Sequence, residues 1–384
     1  MIPYGRQQID ASDIAAVVDT LQSDFLTQGP KVPAFEQAVA SLCQARFAVA
    51  MNSATSALHL ACLALQVGPG DRVWTSPISF VASANCALYC GAEVDFVDVD
   101  GSTGLMDPAL LALKLQHAAA TNTLPKVLIP VHLAGHSCDM QRIAALCQPY
   151  NIRIIEDASH AIGGYYQNRP VGCCQYSDIT IFSFHPVKII TSAEGGMALC
   201  NDPALDSQLR LLRSHGITRD AADMTEASHG PWYYQQIGLG FNYRITDLQA
   251  ALGLSQLDRL KQFVHQRIKA TELYQQLLQD LPLDLPAPAV DGVSAWHLYI
   301  VRLHQPEKRL QVFESLRAAG IGVNVHYIPI HTQPYYQKLG FDWGQFPHAE
   351  QFYSQIISLP LFAGITTGQQ QQVADALRQA CSEI

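Results

Sequence analysis

The 384-residue chain contains few charged residues. Only 15% of its residues are Asp, Glu, Lys or Arg, whereas about a quarter is usual for soluble globular proteins. We therefore expect part of its surface to be buried in a subunit interface. The 24 basic and 33 acidic residues give a net charge of −9, and the sequence has no run of Lys or Arg. This acidic balance argues against a nucleic-acid partner.

Long apolar runs and targeting signals are also missing. No stretch approaches the roughly 18 consecutive apolar residues that a membrane-spanning helix needs. Residues 1–7 (MIPYGRQ) lack the basic-then-apolar order of a signal peptide. The ten cysteines are scattered without a Cys-x-x-Cys pair, so we expect reduced thiols and no disulfide framework. These absences predict a cytoplasmic protein that has no membrane partner.

Short apolar runs alternate with longer segments of helical periodicity over the first 200 residues. The predicted strands are 47–50, 72–74, 94–97, 127–131, 152–155, 179–183 and 195–200. Apolar strands separated by helices are typical of a mostly parallel sheet that is covered on both faces. The predicted fold class is therefore α/β.

The rest of the chain predicts a smaller α+β domain. A long helix is expected from an N-cap at Thr246 towards Leu281, before the break at Pro282. Its inward positions are predicted to be Leu248, Leu252, Leu257 and Leu260. Strands are expected at 295–301 and 322–327, with a helix over 309–319 between them. We place the domain boundary near residue 260, which gives a large domain over 1–260 and a small domain over 261–384.

Four segments follow predicted strands, where open α/β sheets bind their ligands. Residues 52–58 (NSATSAL) could bind a phosphate at a helix N-terminus, or could simply cap that helix. Asp157 could cap a helix or hold a protonated ring nitrogen. Lys188 stands alone among apolar residues, and is either a surface lysine or a desolvated amine able to form a Schiff base. Residues 240–251 on their own indicate a turn into a helix.

Together, these segments predict a single ligand that has a phosphate, a protonatable aromatic ring and a carbonyl that condenses with lysine. Pyridoxal phosphate meets all three demands. A nicotinamide-dependent dehydrogenase is disfavoured, because no G-x-G-x-x-G follows the first strand. No metal site is expected, since Gly135 and the preceding strand argue against a helix that would bring His132 and His136 together.

Seven segments in order make the chain resemble the DegT/StrS family of sugar-nucleotide aminotransferases. They are 52–58, 77–82, 159–161, 182–188, 193–196, 213–216 and 325–327. The resemblance spans nearly the whole chain, and within the family it is strongest to the transaminases of pseudaminic acid biosynthesis. It implies the fold-type-I architecture of pyridoxal-phosphate aminotransferases and a homodimer with shared active sites. The implied reaction moves an amino group from L-glutamate to C4 of a UDP-linked 4-keto-6-deoxy-N-acetylhexosamine.

The resemblance also implies roles for individual residues. Lys188 would carry the cofactor as a Schiff base, Asp157 would hold its ring nitrogen, and His160 would lie beside its phenolic oxygen. Phe80 would stack on the ring. The implied phosphate contacts are Ala54, Thr55, Ser56 and Ser183, with Asn242 from the other subunit. The implied nucleotide-sugar pocket is lined by Tyr4, Asp24, Phe25, Leu26, Thr27, His326 and Tyr327.

Some choices stay open at this point. Arg213 and Arg244 are both candidates for carboxylate or diphosphate contacts. The substrate could be another UDP- or dTDP-linked 4-keto sugar. The alternative from a different functional class is a non-catalytic binding or regulatory protein that has the same fold. The presence of both Lys188 and Asp157 disfavours this alternative. Family members with His in place of the lysine are dehydratases, so Lys188 favours transamination.

Overall fold

The computed structural model describes residues 1–287, 289 and 291–382. The strands are β1 (Phe47–Met51), β2 (Arg72–Thr75), β3 (Glu93–Phe96), β4 (Val127–Ile129), β5 (Arg153–Asp157), β6 (Tyr165–Tyr166), β7 (Arg169–Pro170), β8 (Ile179–Ser183), β9 (Gly196–Cys200), β10 (Ile217–Thr218), β11 (Gln235–Gln236), β12 (Leu283–Asp284), β13 (Gly292–Val293), β14 (Tyr299–Leu303) and β15 (Ile356–Leu359). The α-helices are α1 (Ala11–Leu21), α2 (Lys31–Cys43), α3 (Ala54–Ala64), α4 (Ala82–Tyr89), α5 (Pro108–Thr121), α6 (Met140–Cys147), α7 (Pro203–Arg213), α8 (Asp247–Asp258), α9 (Leu260–Leu278), α10 (Arg309–Ala318), α11 (Pro334–Gln337), α12 (Pro347–Gln355) and α13 (Thr367–Ser382).

A seven-stranded sheet forms the centre of the molecule, in the order β1-β9-β8-β5-β4-β2-β3. Neighbours from β3 to β8 pair in parallel, whereas β9 is antiparallel to both β8 and β1. Every residue of β4, β8 and β9 is buried, as expected for strands that are covered on both faces. The predicted α/β class with a mostly parallel sheet is confirmed.

The predicted strands of the small domain are only partly present. The segment predicted at 295–301 forms a strand only from Tyr299 onward. The N–H groups of Ala295 and His297 instead donate to the carbonyls of Gly135 and Ala134, so they are not available to a strand neighbour. The strand predicted at 322–327 is wrong, because this segment forms a single bridge between Asn324 and Ser358.

The predicted long helix is divided at Arg259 into α8 and α9. The two halves pack on different partners, since α8 contacts α1 and α2 whereas α9 contacts α13. The buried residues of α8 are Asp247, Ala250, Ala251, Gly253 and Gln256, and Gly253 lies against the ring of Phe35. Of the four predicted inward positions, Leu260 is buried, whereas Leu248, Leu252 and Leu257 are only partly buried.

One buried apolar cluster lies away from the large sheet. It joins α9, β14, β15, α10 and α13, and it also includes Ile2 from the start of the chain. The domain division near residue 260 stays a prediction. All ten cysteines are free thiols, as the sequence predicted. In the part of the chain that is described, no helix is both long and apolar enough to cross a membrane.

Candidate active site

A cavity of about 440 Å³ lies at the carboxyl ends of the central strands. It is bounded by the last residues of β5 and β8, the first turn of α3 and the loop after β8. Most of the predicted site residues line it. They are Tyr4, Ala54, Thr55, Phe80, Asp157, His160, Ser183, Lys188, His326 and Tyr327. The structure thus brings together residues that are more than 300 positions apart in the sequence.

The first turn of α3 forms one wall of the cavity. Ser53 caps this helix by accepting a hydrogen bond from the Ser56 N–H. Gly196 of β9 lies directly against the cap, and a Cβ at that position would be 2.4 Å from the Ala54 nitrogen. Because the first N–H groups of a helix have no acceptor within it, this wall suits an anion.

Lys188 lies in the turn that follows β8, with its N–H donating to the carbonyl of His185. Burial lowers the pKa of its amine to about 8, although the charge of Asp157 acts in the opposite direction. A substantial fraction of the amine is therefore neutral near physiological pH. A neutral amine is the form that attacks a carbonyl.

Asp157 ends β5 and is 5% exposed. Its Oδ2 accepts a hydrogen bond of 2.6 Å from the Ser83 hydroxyl, and its Oδ1 accepts one of 2.6 Å from the Ser159 hydroxyl. The N–H of Ser159 adds a third bond, at 3.2 Å. The carboxylate is thus oriented by donors on both of its oxygens.

His160 is buried, and both of its ring nitrogens have partners. Its Nδ1 accepts from the Ala134 N–H at 3.2 Å, and its Nε2 is 3.2 Å from the hydroxyl of Tyr327. Because Nδ1 is an acceptor, a neutral ring carries its proton on Nε2 and donates it to the Tyr327 oxygen. Burial and the charge of Lys188 hold the pKa of His160 well below its ordinary value, in agreement with a neutral ring.

Two further buried imidazoles line the same cavity. His326 has its pKa lowered to about 4, by burial and by the charge of Lys188, and its Nδ1 is 2.8 Å from the Ser358 hydroxyl. His297 is 3% exposed, and its ring centroid is 4.4 Å from that of His160. Burial places the pKa of His297 well below its ordinary value. The cavity therefore holds three buried histidines whose pKa values are lowered, His160, His297 and His326, beside the amine of Lys188 and the carboxylates of Asp157 and Glu194.

Some predicted site residues do not line this cavity. Ser56 is buried behind it, with its hydroxyl donating to Asn52 Oδ1 at 2.6 Å. The others are exposed on the surface of the chain. They are Asp24, Phe25, Leu26, Thr27 and Asn242. The backbone of Thr27 pairs with Thr246, four residues beyond Asn242 in the sequence.

The two candidate arginines have different surroundings. The guanidinium of Arg213 is 2.6 Å from a carboxylate oxygen of Glu36 and also donates to the carbonyl of Ala50. Arg244 forms a backbone bridge with Met51, and its side chain has no ion pair among the residues that the structure describes. Arg213 therefore has a structural partner, and Arg244 is the arginine left for a ligand.

The histidines considered for a metal point to different neighbours. His132 Nε2 is 2.8 Å from Glu156, whereas the ring of His136 packs edge-on against Trp296. Within the described ranges, no group of three or more potential ligands could hold a metal ion. His185 is exposed at the wall of the cavity.

Sequence reasoning missed several residues of the cavity and its support. Ser79 and His297 line the cavity, while Ser83 and Ser159 orient Asp157. Ser159 follows a strand end and could have been found by its spacing from Asp157. Ser83 has no such signal, because a serine within a predicted helix does not reveal which carboxylate it contacts.

Comparison with known proteins identifies the chain's relatives. Residues 7–378 match the DegT/DnrJ/EryC1/StrS aminotransferase family. The chain is 38% identical over 383 residues to the spore coat polysaccharide biosynthesis protein SpsC of Bacillus subtilis, covering 98% of this chain and 96% of SpsC. It is 32% identical to Helicobacter pylori PseC, described as an aminotransferase involved in the biosynthesis of pseudoaminic acid, with a TM-score of 0.91 and full coverage of both chains.

A third relative is the putative sugar aminotransferase Spr1654 of Streptococcus pneumoniae. Its PMP-form is 31% identical to the chain with a TM-score of 0.91, and both chains are fully covered. The same protein has a PLP-form structure with a TM-score of 0.90, covering 100% of this chain and 99% of that one.

The fold and the cavity define a fold-type-I pyridoxal-phosphate enzyme. The chain belongs to the DegT/DnrJ/EryC1/StrS aminotransferase family. It is a sugar aminotransferase whose cofactor is pyridoxal phosphate, so the expectation of an enzyme is confirmed against the rival non-catalytic protein.

The residues present fit this cofactor. Gly196 brings the backbone of β9 against the start of α3, where a side chain would collide with the helix cap. The opposite parts of the cavity hold the carboxylate of Asp157 and the amine of Lys188. An anion-binding helix start, a carboxylate and a partly neutral amine in one cavity match the phosphate, ring nitrogen and carbonyl of pyridoxal phosphate.

Proposed function

We propose that this enzyme transfers an amino group from L-glutamate to C4 of a UDP-linked 4-keto-6-deoxy-N-acetylhexosamine, with Lys188 and Asp157 as its catalytic residues. The observation that carries the catalytic part is the amine of Lys188, whose pKa is about 8 and which shares one cavity with Asp157 and the start of α3. The sugar specificity is supported by the likeness to PseC.

Pyridoxal phosphate, when bound, supplies a carbonyl that reacts with amines and a ring that accepts electrons. Lys188 is the nucleophile that holds the cofactor covalently, since burial leaves much of its amine neutral. When its amine is free, Lys188 accepts and returns protons in the cavity, because its pKa is close to the working pH. Asp157 keeps a proton on the ring nitrogen through its negative charge.

The phosphate-binding role falls to the start of α3 and the end of β8. Ala54 and Thr55 offer N–H groups at the helix start, and Ser183 adds a hydroxyl from the end of β8. Ser56 contributes from behind, where its hydroxyl holds Asn52. Phe80 is 59% exposed at the cavity wall, where its ring is free to stack on the cofactor.

His160 and Tyr327 act as a coupled pair beside the cofactor. The Nε2–H of His160 donates to the Tyr327 oxygen, which leaves the Tyr327 hydroxyl proton for an acceptor in the cavity. Burial and the charge of Asp157 raise the pKa of Tyr327, so this proton is retained at neutral pH. In this arrangement His160 acts on the phenolic oxygen of the cofactor through Tyr327.

The nucleotide-sugar pocket lies at Tyr4, His326 and Tyr327. The rings of Tyr4 and His326 are 5.3 Å apart, and all three residues line the cavity. Arg244 is the better candidate for the diphosphate or for the carboxylate of glutamate, because Arg213 is paired with Glu36. A planar guanidinium suits either anion.

The functional unit is a homodimer with shared sites, located in the cytoplasm. Asn242 and residues 24–27 are exposed, and the backbone of Thr27 pairs with Thr246. In a two-fold dimer these exposed residues of each protomer serve the cavity of the other. Asn242 of the partner subunit then contacts the phosphate, and Asp24, Phe25, Leu26 and Thr27 of the partner subunit complete the sugar pocket.

The test is the product formed from a matched panel of UDP- and dTDP-linked 4-keto-6-deoxy sugars, each offered with L-glutamate and, separately, with other amino donors. We expect a 4-amino sugar from the UDP-linked N-acetylhexosamine, together with 2-oxoglutarate. Preferential amination of a dTDP sugar, or of the keto group at another carbon, would overturn the substrate assignment. Activity with a donor other than glutamate would overturn the donor alone.

A further inference from the structure

A chain of hydroxyl groups leads from the cavity wall to Asp157. Ser79 lines the cavity and lies 2.7 Å from the hydroxyl of Ser83, which is 2.6 Å from Asp157 Oδ2. Ser83 is fully buried in the first turn of α4, and Ser79 is 4% exposed. We call Ser79 and Ser83 the serine relay. Neither residue is among the site residues that the sequence indicated.

The direction of the serine relay is set by the charge of Asp157. A hydroxyl has one proton, and an ionised carboxylate can only accept. Ser83 therefore donates to Asp157, because its other acceptor, the carbonyl of Phe80, is farther away at 3.3 Å. The contact between the two serines then requires Ser79 to donate to Ser83. Hydrogen bonds in such a chain strengthen one another.

We propose that Ser83 is a positioning residue for Asp157, and that the serine relay keeps this carboxylate oriented towards the cavity. The proposal rests on the role of Asp157 given above. Ser159 orients the other carboxylate oxygen, so loss of Ser83 leaves Oδ2 without its hydroxyl donor and frees the carboxylate to turn. The titratable groups that line the cavity with Asp157 are Lys188, Glu194, Tyr4, Tyr327 and the histidines at 160, 185, 297 and 326, and the charge of Asp157 acts on Lys188 and Tyr327.

The test measures the visible absorbance of the cofactor-loaded protein as a function of pH. The quantity compared between variants is the pH at the midpoint of the colour change. In Ser83→Ala, a carboxylate that is free to turn away from the ring nitrogen holds less proton on it. The ring then withdraws less electron density from the bond between Lys188 and the cofactor. The Lys188 nitrogen in this bond therefore keeps its proton to a higher pH. We expect the midpoint of the colour change to rise by about one pH unit, the effect of one hydrogen bond to a charged group. Turnover should fall about tenfold.

Ser76→Ala is the matched control. Ser76 is fully buried, and its hydroxyl has no hydrogen-bond partner among the residues described. Ser76→Ala therefore removes a buried hydroxyl, as Ser83→Ala does, but one that has no contact with Asp157. We expect the midpoint and the turnover of Ser76→Ala to match those of the wild type. A shift in Ser76→Ala as large as that in Ser83→Ala would mean that the readout reports packing, and would overturn the proposal.

Ser79→Ala tests the serine relay from the cavity end. It should shift the midpoint in the same direction by a smaller amount, and it stands in for Ser83→Ala if that variant does not fold. A Ser83→Ala midpoint equal to that of the wild type would overturn the proposal, as would an unshifted Ser79→Ala where only that variant folds. Because the titration needs no sugar or amino donor, its outcome is independent of the substrate assignment.

Discussion

The cavity wall and the exposed surface at residues 24–27 and 242 differ in how far their side chains are buried and hydrogen-bonded within the chain. Asp157 and His160 each have two or more hydrogen-bond partners within the chain, and both are buried. Phe25 and Leu26, in contrast, are 52% and 48% exposed. The single chain therefore brings the cavity residues together, but leaves the rest of its predicted site facing outward.

The difference extends to electrostatics. In the cavity, burial lowers the pKa of Lys188 and of His326. On the exposed surface water screens charge, so an interaction there gains strength only when another surface covers it. One chain is thus enough to form the cavity, whereas completion of the site by a second copy stays a prediction.

The largest effect is expected from Lys188→Ala. This variant should lose turnover and should no longer trap the cofactor when the loaded protein is treated with borohydride, because no other buried amine lines the described cavity. Peptide mass mapping of the reduced wild type should find the cofactor on Lys188. A reduced adduct on any other lysine would contradict the assignment of the cavity as the chemical centre.

The second-largest effect on turnover is expected from Asp157→Asn. A neutral amide no longer holds a proton on the ring nitrogen, so we expect turnover to fall on the order of 100-fold, comparable to the loss of a strong hydrogen bond to a charged group. Cofactor binding measured by absorbance titration should change little, since the phosphate contacts remain. Near wild-type turnover would show that Asp157 only caps the segment that follows β5.

The exposed surface is tested by mixing two inactive variants, Lys188→Ala and Asn242→Asp. The added carboxylate of Asn242→Asp should repel the cofactor phosphate. If the sites are shared, a mixed dimer has one site with both lesions and one with neither. Random exchange of equal amounts should then restore about a quarter of the wild-type activity. No gain, with subunit exchange shown independently, would place both residues in the site of one protomer.

The amine of Lys188 should also show its low pKa directly. In the cofactor-free protein, labelling of Lys188 by an amine reagent should rise with a midpoint near pH 8, whereas exposed lysines should titrate above about pH 10. Asp157→Asn should move the Lys188 midpoint lower, because the charge of Asp157 raises this pKa. Mass spectrometry of the labelled peptides gives both midpoints. A Lys188 midpoint above 10 would contradict the desolvated amine.

The smallest effects should separate the two arginines. Arg213→Gln should lower the free energy of unfolding by about 2 kcal/mol, since it removes charged hydrogen bonds to Glu36 and Ala50. Arg244→Gln should leave stability nearly unchanged, but should raise KM for the sugar nucleotide or for glutamate. Denaturant unfolding and steady-state kinetics measure these outcomes. An unchanged KM in Arg244→Gln would remove it from the binding site.

Much of the architecture was readable from local pattern. The strands of the large sheet were predicted within a few residues because most of their residues are buried, and apolar runs mark them in the sequence. The helix around Thr246 was harder. Its buried residues are Asp247, Ala250, Ala251, Gly253 and Gln256, and small or polar residues carry no hydrophobic signal of their own.

The sequence by itself determined the chemical groups, since Lys188, Asp157 and the segment at 52–58 could be recognised from their types and their positions after strands. Only the tertiary structure decided how these groups are supported. Ser83 reaches Asp157 across 74 positions of chain, and Ala134 reaches His160 across 26. The physical reason is that periodicity reports which face of an element is buried, whereas a hydrogen-bond partner depends on where other elements are packed.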